Sequence, residues 1–242
     1  MLFSKISLAI KLPAAVLLGL TFILWQPLLN AAEAPTIIAA PIQDYPTQDN
    51  PKAASALQTT VVAGGCFWGM QGVFEHVKGV RKVVAGYAGG DKDSANYKAV
   101  STGSTGHAEA VKITYDPAEV SYGELLHIFF SVAHDPTQLN RQGPDSGTQY
   151  RSNIFYTDNA QKNIAQTYIA QLNKSKVFPR DITTRVDSFK SFYAAEDYHQ
   201  DFLIHNPNYP YIVFNDLPKI ENLKRIFPKN YSVQPVMLGT TY

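Results

Sequence analysis

The chain has 242 residues, 45% of them hydrophobic, and sets 21 basic against 20 acidic side chains. That content supports one sizeable core and implies no repeat array. No basic cluster lies outside the extreme N-terminus, so there is no electrostatic footprint for nucleic acid, and the expected partner is small or peptidic.

Residues 1–34 start with Lys5 and Lys11, run almost wholly apolar from Leu12 to Leu29, and end in the small residues Ala31, Ala32 and Ala34. That order of charge, apolar run and small residues reads as an export signal peptide. Pro35 after the best Ala-x-Ala match is a poor context for cleavage, and the apolar run matches a marginal transmembrane helix, so an uncleaved membrane anchor is the alternative. Either reading places the protein outside the cytoplasm, periplasmic or extracytoplasmic. Residues 35–58 carry Pro35, Pro41, Pro46 and Pro51 with few large apolar side chains, and read as an extended Pro-rich linker. A folded domain is expected over 59–233, followed by an irregular tail at 234–242.

Within the domain, Thr59 to Ala63 is strand-like. Cys66 to Val77 carries Phe67, Met70, Val73, Phe74 and Val77 at the i, i+3, i+4, i+7 spacing of an amphipathic helix, and Gly79 stops it. Val80 to Ala88 is a second strand, leading into a polar loop that holds Tyr97. Ala108 to Tyr115 is a third, closed by Asp116-Pro117. Ser121 and Glu124 form a capping box for a helix through Val132. The long loop His134 to Gly147 precedes a fourth strand, Tyr150 to Tyr156. Asp158 caps a helix to about Asn173, and Ile182 to Val186 reads as a further strand. Glu196 to His205 and Leu217 to Phe227 read as short helices around the loop Asn206 to Tyr211. The order strand, helix, strand, strand, helix, strand predicts an α+β two-layer sandwich: a ferredoxin-like mixed sheet with helices on one face, plus C-terminal extensions.

The lone cysteine, Cys66, sits in Gly64-Gly65-Cys66-Phe67-Trp68-Gly69, between a strand and a helix. At a helix start, free backbone N–H groups and the positive end of the dipole both favour a thiolate, the reactive form of the sulfur. Burial as an ordinary structural cysteine is the competing reading. Alternation along the third strand puts Glu109 on the side of Val111, Ile113 and Tyr115. There a desolvated acid would stay protonated near neutral pH and could donate; an acid at the strand edge facing solvent is the alternative. Asp145 and Tyr150 lie in and just after a loop long enough to suggest function. His107 and His134 read as satisfied structural histidines.

Six blocks together, G-C-F-W-G at 65–69, G-Y-x-G-G at 86–90, T-G-H-A-E-A-V at 105–111, H-D-P-T-Q at 134–138, D-x-G-T-Q-Y-R-S at 145–152 and A-E-D-Y-H-Q at 195–200, resemble the peptide methionine sulfoxide reductase A family over about Thr59 to Tyr211. The resemblance implies that Cys66 attacks the sulfoxide sulfur and becomes a sulfenic acid. It implies that Glu109, Tyr97 and Tyr150 hydrogen-bond and protonate the sulfoxide oxygen, that Asp145 positions substrate or water, and that Phe67 and Trp68 hold the S-methyl group. It further implies action on the S-epimer, free or in proteins, in oxidative-damage repair, with no metal and no bound cofactor. Many members carry one or two more cysteines near the C-terminus; Asn206 to Tyr242 has none. The chain therefore resembles the single-cysteine type, regenerated by an external thiol: thioredoxin-like, glutaredoxin-like or small. A monomer is expected.

Three rival readings make different demands. A cysteine hydrolase would cast Cys66, His107 and Asp145 as nucleophile, base and orienter. A zinc deaminase would use His107-Ala108-Glu109 but needs two further cysteines, and the chain has one. A binding module with an aromatic pocket would not need the thiol at all.

Overall fold

The computed structural model describes residues 34–44 and 56–238; the leader expected at 1–34 lies almost wholly outside them. In chain order, β1 (Gln58–Ala63) and α1 (Phe67–Glu75) are followed by β2 (Val80–Ala88), the short α2 (Tyr97–Val100), β3 (Ala108–Tyr115) and α3 (Tyr122–Ile128). The long loop contains a small ladder of β4 (Arg141–Gln142) with β5 (Asp145–Ser146). Then come β6 (Asn153–Tyr156), α4 (Asn159–Ser175), β7 (Arg185–Ser188), β8 (Phe192–Ala194), α5 (Phe202–His205) and α6 (Leu217–Ile226).

The six-stranded sheet has the order β7-β6-β1-β3-β2-β8. Its inner four strands are antiparallel neighbours joined as β-α-β-β-α-β, the ferredoxin-like arrangement, and β7 pairs parallel with β6, which makes the sheet mixed. One consequence positions everything that follows. The ends of β1 and β2 and the starts of β3 and β6 all meet at one end of the sheet. The register that pairs Val62 with Val111 brings Glu109 level with Gly64, two residues before Cys66.

The main core lies between this sheet and the helices. It takes Val111, Ile113 and Tyr115 from β3 and Phe67, Met70, Val73 and Phe74 from α1, all at most 1% exposed. Each such side chain contributes roughly 1.5–3 kcal/mol of burial, and this, more than the propensity of nine residues, holds α1 in place. Ala63, Ala88, Ala108, Ala110, Val61 and Phe155 form a smaller cluster on the opposite face, capped by Phe189 and Phe192. Helices thus cover one face, while Phe189 from the β7–β8 connection and Phe192 from β8 cover part of the other.

Several boundaries differ from the sequence expectation. Tyr150 belongs to a 3-10 turn, Thr148–Tyr150, and the strand begins only at Asn153. The strand expected at 182–186 lies at 185–188, because Ile182 and Thr183 donate their N–H groups to Asn173 and Pro136 before Arg185 reaches Ser152 and pairing with β6 starts. The helix expected through Val132 is α-helical to Ile128 and finishes as a π turn, Phe129–Ala133. The segment read as one helix from Glu196 to His205 is a 3-10 turn and α5, separated by Asp201 in left-handed geometry. The capping box at Ser121 and the cap at Asp158 form as expected.

Residues 34–44 lie along the helical layer. Thr36 N–H donates to Ser131, the carbonyls of Ile38, Ala39 and Ala40 meet His127, Tyr168 and Gln171, and Asp44 accepts from Gly123 N–H at 2.7 Å. Ile38 is buried in the main core. This part of the expected linker is a strap bound to the domain.

Candidate active site

All seven residues singled out in the sequence line one cavity of about 160 Å³: Cys66, Phe67, Trp68, Tyr97, Glu109, Asp145 and Tyr150, joined by Tyr211. The floor is the strand-to-helix turn. Gly65 adopts φ of +95°, where a side chain would be strained and would also strike Gln142 at 2.5 Å, so glycine is required for the turn that delivers Cys66 to the N-cap of α1. Cys66 is half-buried, and the Trp68 backbone N–H donates to its sulfur.

The helix-start effect favours the thiolate, but it does not decide the resting state. Burial pushes the thiol well above its ordinary value, and the carboxylates of Glu109, Asp216 and Asp145 push it further; the Trp68 N–H pulls down less. The expectation of a resident thiolate is corrected accordingly: in the free protein Cys66 is a thiol.

Glu109 is 2% exposed and points into the helix-side core, as alternation along β3 predicts. Burial raises its pKa to about 8, although the Phe67 N–H, donating to its Oε2 at 3.1 Å, pulls the other way. Near neutral pH it is therefore a protonated acid. Tyr97 and Tyr150 stand on other sides of the cavity with pKa values raised by burial, and raised further by Glu109 once that acid ionises, so both keep their hydroxyl protons. Burial also raises Asp145, while Tyr211 and Lys219 lower it. The Tyr211 hydroxyl donates to Asp145 Oδ2, an arrangement in which the phenol holds the carboxylate in place.

The aromatic wall has its own support. The Trp68 ring stacks on Phe202 at 3.8 Å between centroids, with Tyr209 and Tyr211 edge-on at 6.1 and 6.0 Å. Its indole N–H donates to His199 Nδ1 at 3.1 Å, and His199 also lies against Phe67 and Tyr97. Glu196 accepts from the Tyr97 N–H at 2.9 Å and from the Tyr87 hydroxyl at 2.8 Å. Reading residues one at a time missed Tyr211, His199 and Glu196. The 195–200 block was the signal for two of them, and the Tyr- and Pro-rich loop held the third.

His107 stands outside this cavity. Its Nδ1 accepts from Gly90 N–H at 3.2 Å, its Nε2 donates to the Asp91 carbonyl at 3.0 Å, and its ring meets Tyr87 and Tyr193. A hydrolase triad of Cys66, His107 and Asp145 is therefore not assembled. His134 donates to the Phe129 carbonyl and accepts from Ser152, and burial lowers its pKa to about 4, so it is neutral and structural. Among the described residues no group of three or more His, Cys, Asp or Glu is placed to hold a metal ion.

A thiol at a helix N-terminus, facing a neutral carboxylic acid and two phenols across an aromatic slot, is a site for thiol-based redox chemistry. Comparison with known proteins agrees. The family model described as "Peptide methionine sulfoxide reductase" matches residues 58–231. The "Peptide methionine sulfoxide reductase MsrA 2" of Mesorhizobium japonicum is 63% identical over 187 residues, 77% of this chain and 96% of the relative. Its namesake in Synechocystis is 52% identical over 200 residues, 82% of this chain and 92% of the relative. Among solved structures, methionine sulfoxide reductase A of Corynebacterium diphtheriae is similar at 32% identity and a TM-score of 0.55, covering 73% of this chain and 89% of that one. Reduced Mxr1 of Saccharomyces cerevisiae gives 33% identity and a TM-score of 0.57, covering 63% and 87%. The chain belongs to the peptide methionine sulfoxide reductase family.

Proposed function

We propose that this protein reduces the S-epimer of methionine sulfoxide, free or within oxidised proteins, to methionine. The observation that carries the reading is the convergence of Cys66, Glu109, Tyr97 and Tyr150 on one small cavity walled by Phe67 and Trp68. The slot takes the S-methyl group against aromatic faces, where sulfur and methyl contacts are favourable. The oxygen then lies toward the acid and the phenols.

Glu109 donates its proton to the sulfoxide oxygen, and the hydroxysulfonium that results is a cation beside Cys66. A neighbouring positive charge lowers a thiol's pKa, so ionisation of Cys66 is coupled to binding. The sulfur attacks the substrate sulfur and an S–S bond forms. The oxygen, carrying the protons given up by Glu109 and by the thiol, leaves as water as the S–O bond breaks; a water then attacks Cys66 Sγ, breaking the S–S bond and releasing the thioether and a proton. In net terms one oxygen atom moves to Cys66: the methionine sulfur gains two electrons and Cys66 is oxidised to sulfenic acid. With one cysteine in the chain, regeneration uses an external thiol. A first thiol condenses with the sulfenic acid, releasing water and leaving a mixed disulfide; a second thiol displaces Cys66 and departs as the disulfide. A thioredoxin-like or glutaredoxin-like protein or a small thiol fits this role.

The protein acts as a monomer outside the cytoplasm, delivered by the leader as signal or anchor. Supporting this is the basic, apolar, small-residue order of residues 1–34. The test is epimer-resolved turnover with dithiothreitol: methionine from the S-epimer and none after Cys66→Ser, with substrate binding retained. No methionine from the S-epimer refutes the reading.

A further inference from the structure

A groove of about 730 Å³ opens beside the smaller core cluster, whose Phe155 forms part of its wall, and the reaction does not use it. Its lining carries three cations, Arg151, Arg185 and Lys190, against one carboxylate, Asp187. That carboxylate is already engaged: its Oδ2 meets Arg185 at 2.9 Å and accepts from Asn153 Nδ2 at 2.8 Å.

Arg151 is the member that points to a ligand. It is 7% exposed, and among the described residues no carboxylate pairs with it. Nη1 donates to the His107 and Thr148 carbonyls at 3.0 and 2.9 Å, and Nη2 to the Gly106 carbonyl at 2.8 Å, while Nε has no partner. Three of the five N–H donors are thus used. Nη2 stands on the groove side, because a Cβ at the groove-lining Gly89 would lie 2.9 Å from it. A buried cation without a counter-ion is costly, and carbonyl dipoles offset only part of that cost. An anion in the groove would supply the missing charge.

The place of the groove gives that anion a source. The 3-10 turn Thr148–Tyr150 separates groove from reaction cavity: Thr148 and Arg151 line the first, and Tyr150 lines the second. At about 160 Å³ the cavity takes one side chain, so the residues flanking a sulfoxide in a polypeptide lie outside it. An extended chain advances about 3.3–3.6 Å per residue, and a segment leaving the cavity past that turn reaches the groove within a few residues.

We propose that the groove holds carboxylate side chains of the polypeptide under repair, so that a methionine sulfoxide with Asp or Glu a few residues away is bound more tightly than one with neutral neighbours. The proposal rests on the reading of the cavity as the sulfoxide site.

The test compares peptides carrying methionine S-sulfoxide and a run of glutamates, starting two residues to its N- or C-terminal side, with counterparts carrying glutamine. Exposed ion pairs each change affinity by up to about fivefold, so at low salt at least one glutamate peptide should show a KM about fivefold below its counterpart, with kcat unchanged. The difference should vanish at about 1 M salt, where the screening length is about 3 Å. Arg185→Gln/Lys190→Gln, at two exposed positions, should erase it. A difference that survives in this variant, or that no glutamate peptide shows, overturns the proposal. Nuclear magnetic resonance titration with glutamate peptides holding unoxidised methionine, and with citrate, tests the groove apart from the chemistry. Peptide binding that shifts the Arg151 Nε–H signal and is lost in the double variant supports the groove even if no sulfoxide is reduced, a failure that would sink the activity alone. Citrate binding without peptide binding overturns the proposal in favour of a small carboxylate ligand.

Discussion

Glu109 Oε2 accepts the backbone N–H of Phe67 at 3.1 Å, which ties the acid to the same helix turn that carries the nucleophile. Because burial holds Glu109 near a pKa of about 8, the proton-donating form is the resting form at neutral pH. The acid form is lost as pH rises, so kcat/KM should fall above about pH 8, and an unaltered rate well above that value would contradict the assignment. Glu109→Gln should lower kcat by about 100-fold or more. The stability sign is opposite. A carboxylate whose folded pKa is raised stabilises least once pH exceeds its unfolded value, so Glu109→Gln should raise Tm at neutral pH, measured by calorimetry.

Tyr211→Phe removes the hydroxyl that holds Asp145 and leaves that half-buried carboxyl less able to ionise. A hydrogen bond to a charged group contributes about 1.5–3 kcal/mol, so kcat/KM should fall by about tenfold or more and Tm should fall by several degrees. Equal kinetics would show that Asp145 needs no such holding.

His199→Ala deletes the acceptor of the Trp68 indole and the ring behind Phe67 and Tyr97. A loosened aromatic wall should raise KM severalfold with a smaller effect on kcat, and His199→Asn, which keeps an acceptor, should recover part of it. A loss confined to kcat would instead place His199 in the chemistry.

Ile38 is 7% exposed although it lies upstream of the sheet. Ile38→Ala should cost about 2 kcal/mol in a denaturant titration with kcat unchanged. An unmoved midpoint would mean the strap is not part of the cooperative unit.

The sheet was legible because its signals are local. Alternation placed Glu109 correctly, the Ser121–Glu124 box and the Asp158 cap formed as read, and β2 and β3 fell on the expected residues. Misplaced boundaries share a cause, namely backbone groups claimed by distant partners: Thr183 by Pro136, and Tyr150 by the turn at Gly147. The strap was hidden because its Pro-rich composition reads as linker, and its hydrogen bonds go to residues about eighty to one hundred and thirty positions away. The protonation of Cys66 was misread because the helix start is visible in sequence, whereas the burial of the sulfur, and the carboxyl groups of Glu109, Asp216 and Asp145 gathered around it, are not.

The most direct measurement is a single turnover without reductant. Mixing the protein with one equivalent of methionine S-sulfoxide should release about one methionine per chain and leave Cys66 labelled by a sulfenic-acid trap. No methionine, or a label anywhere other than Cys66, would contradict the account.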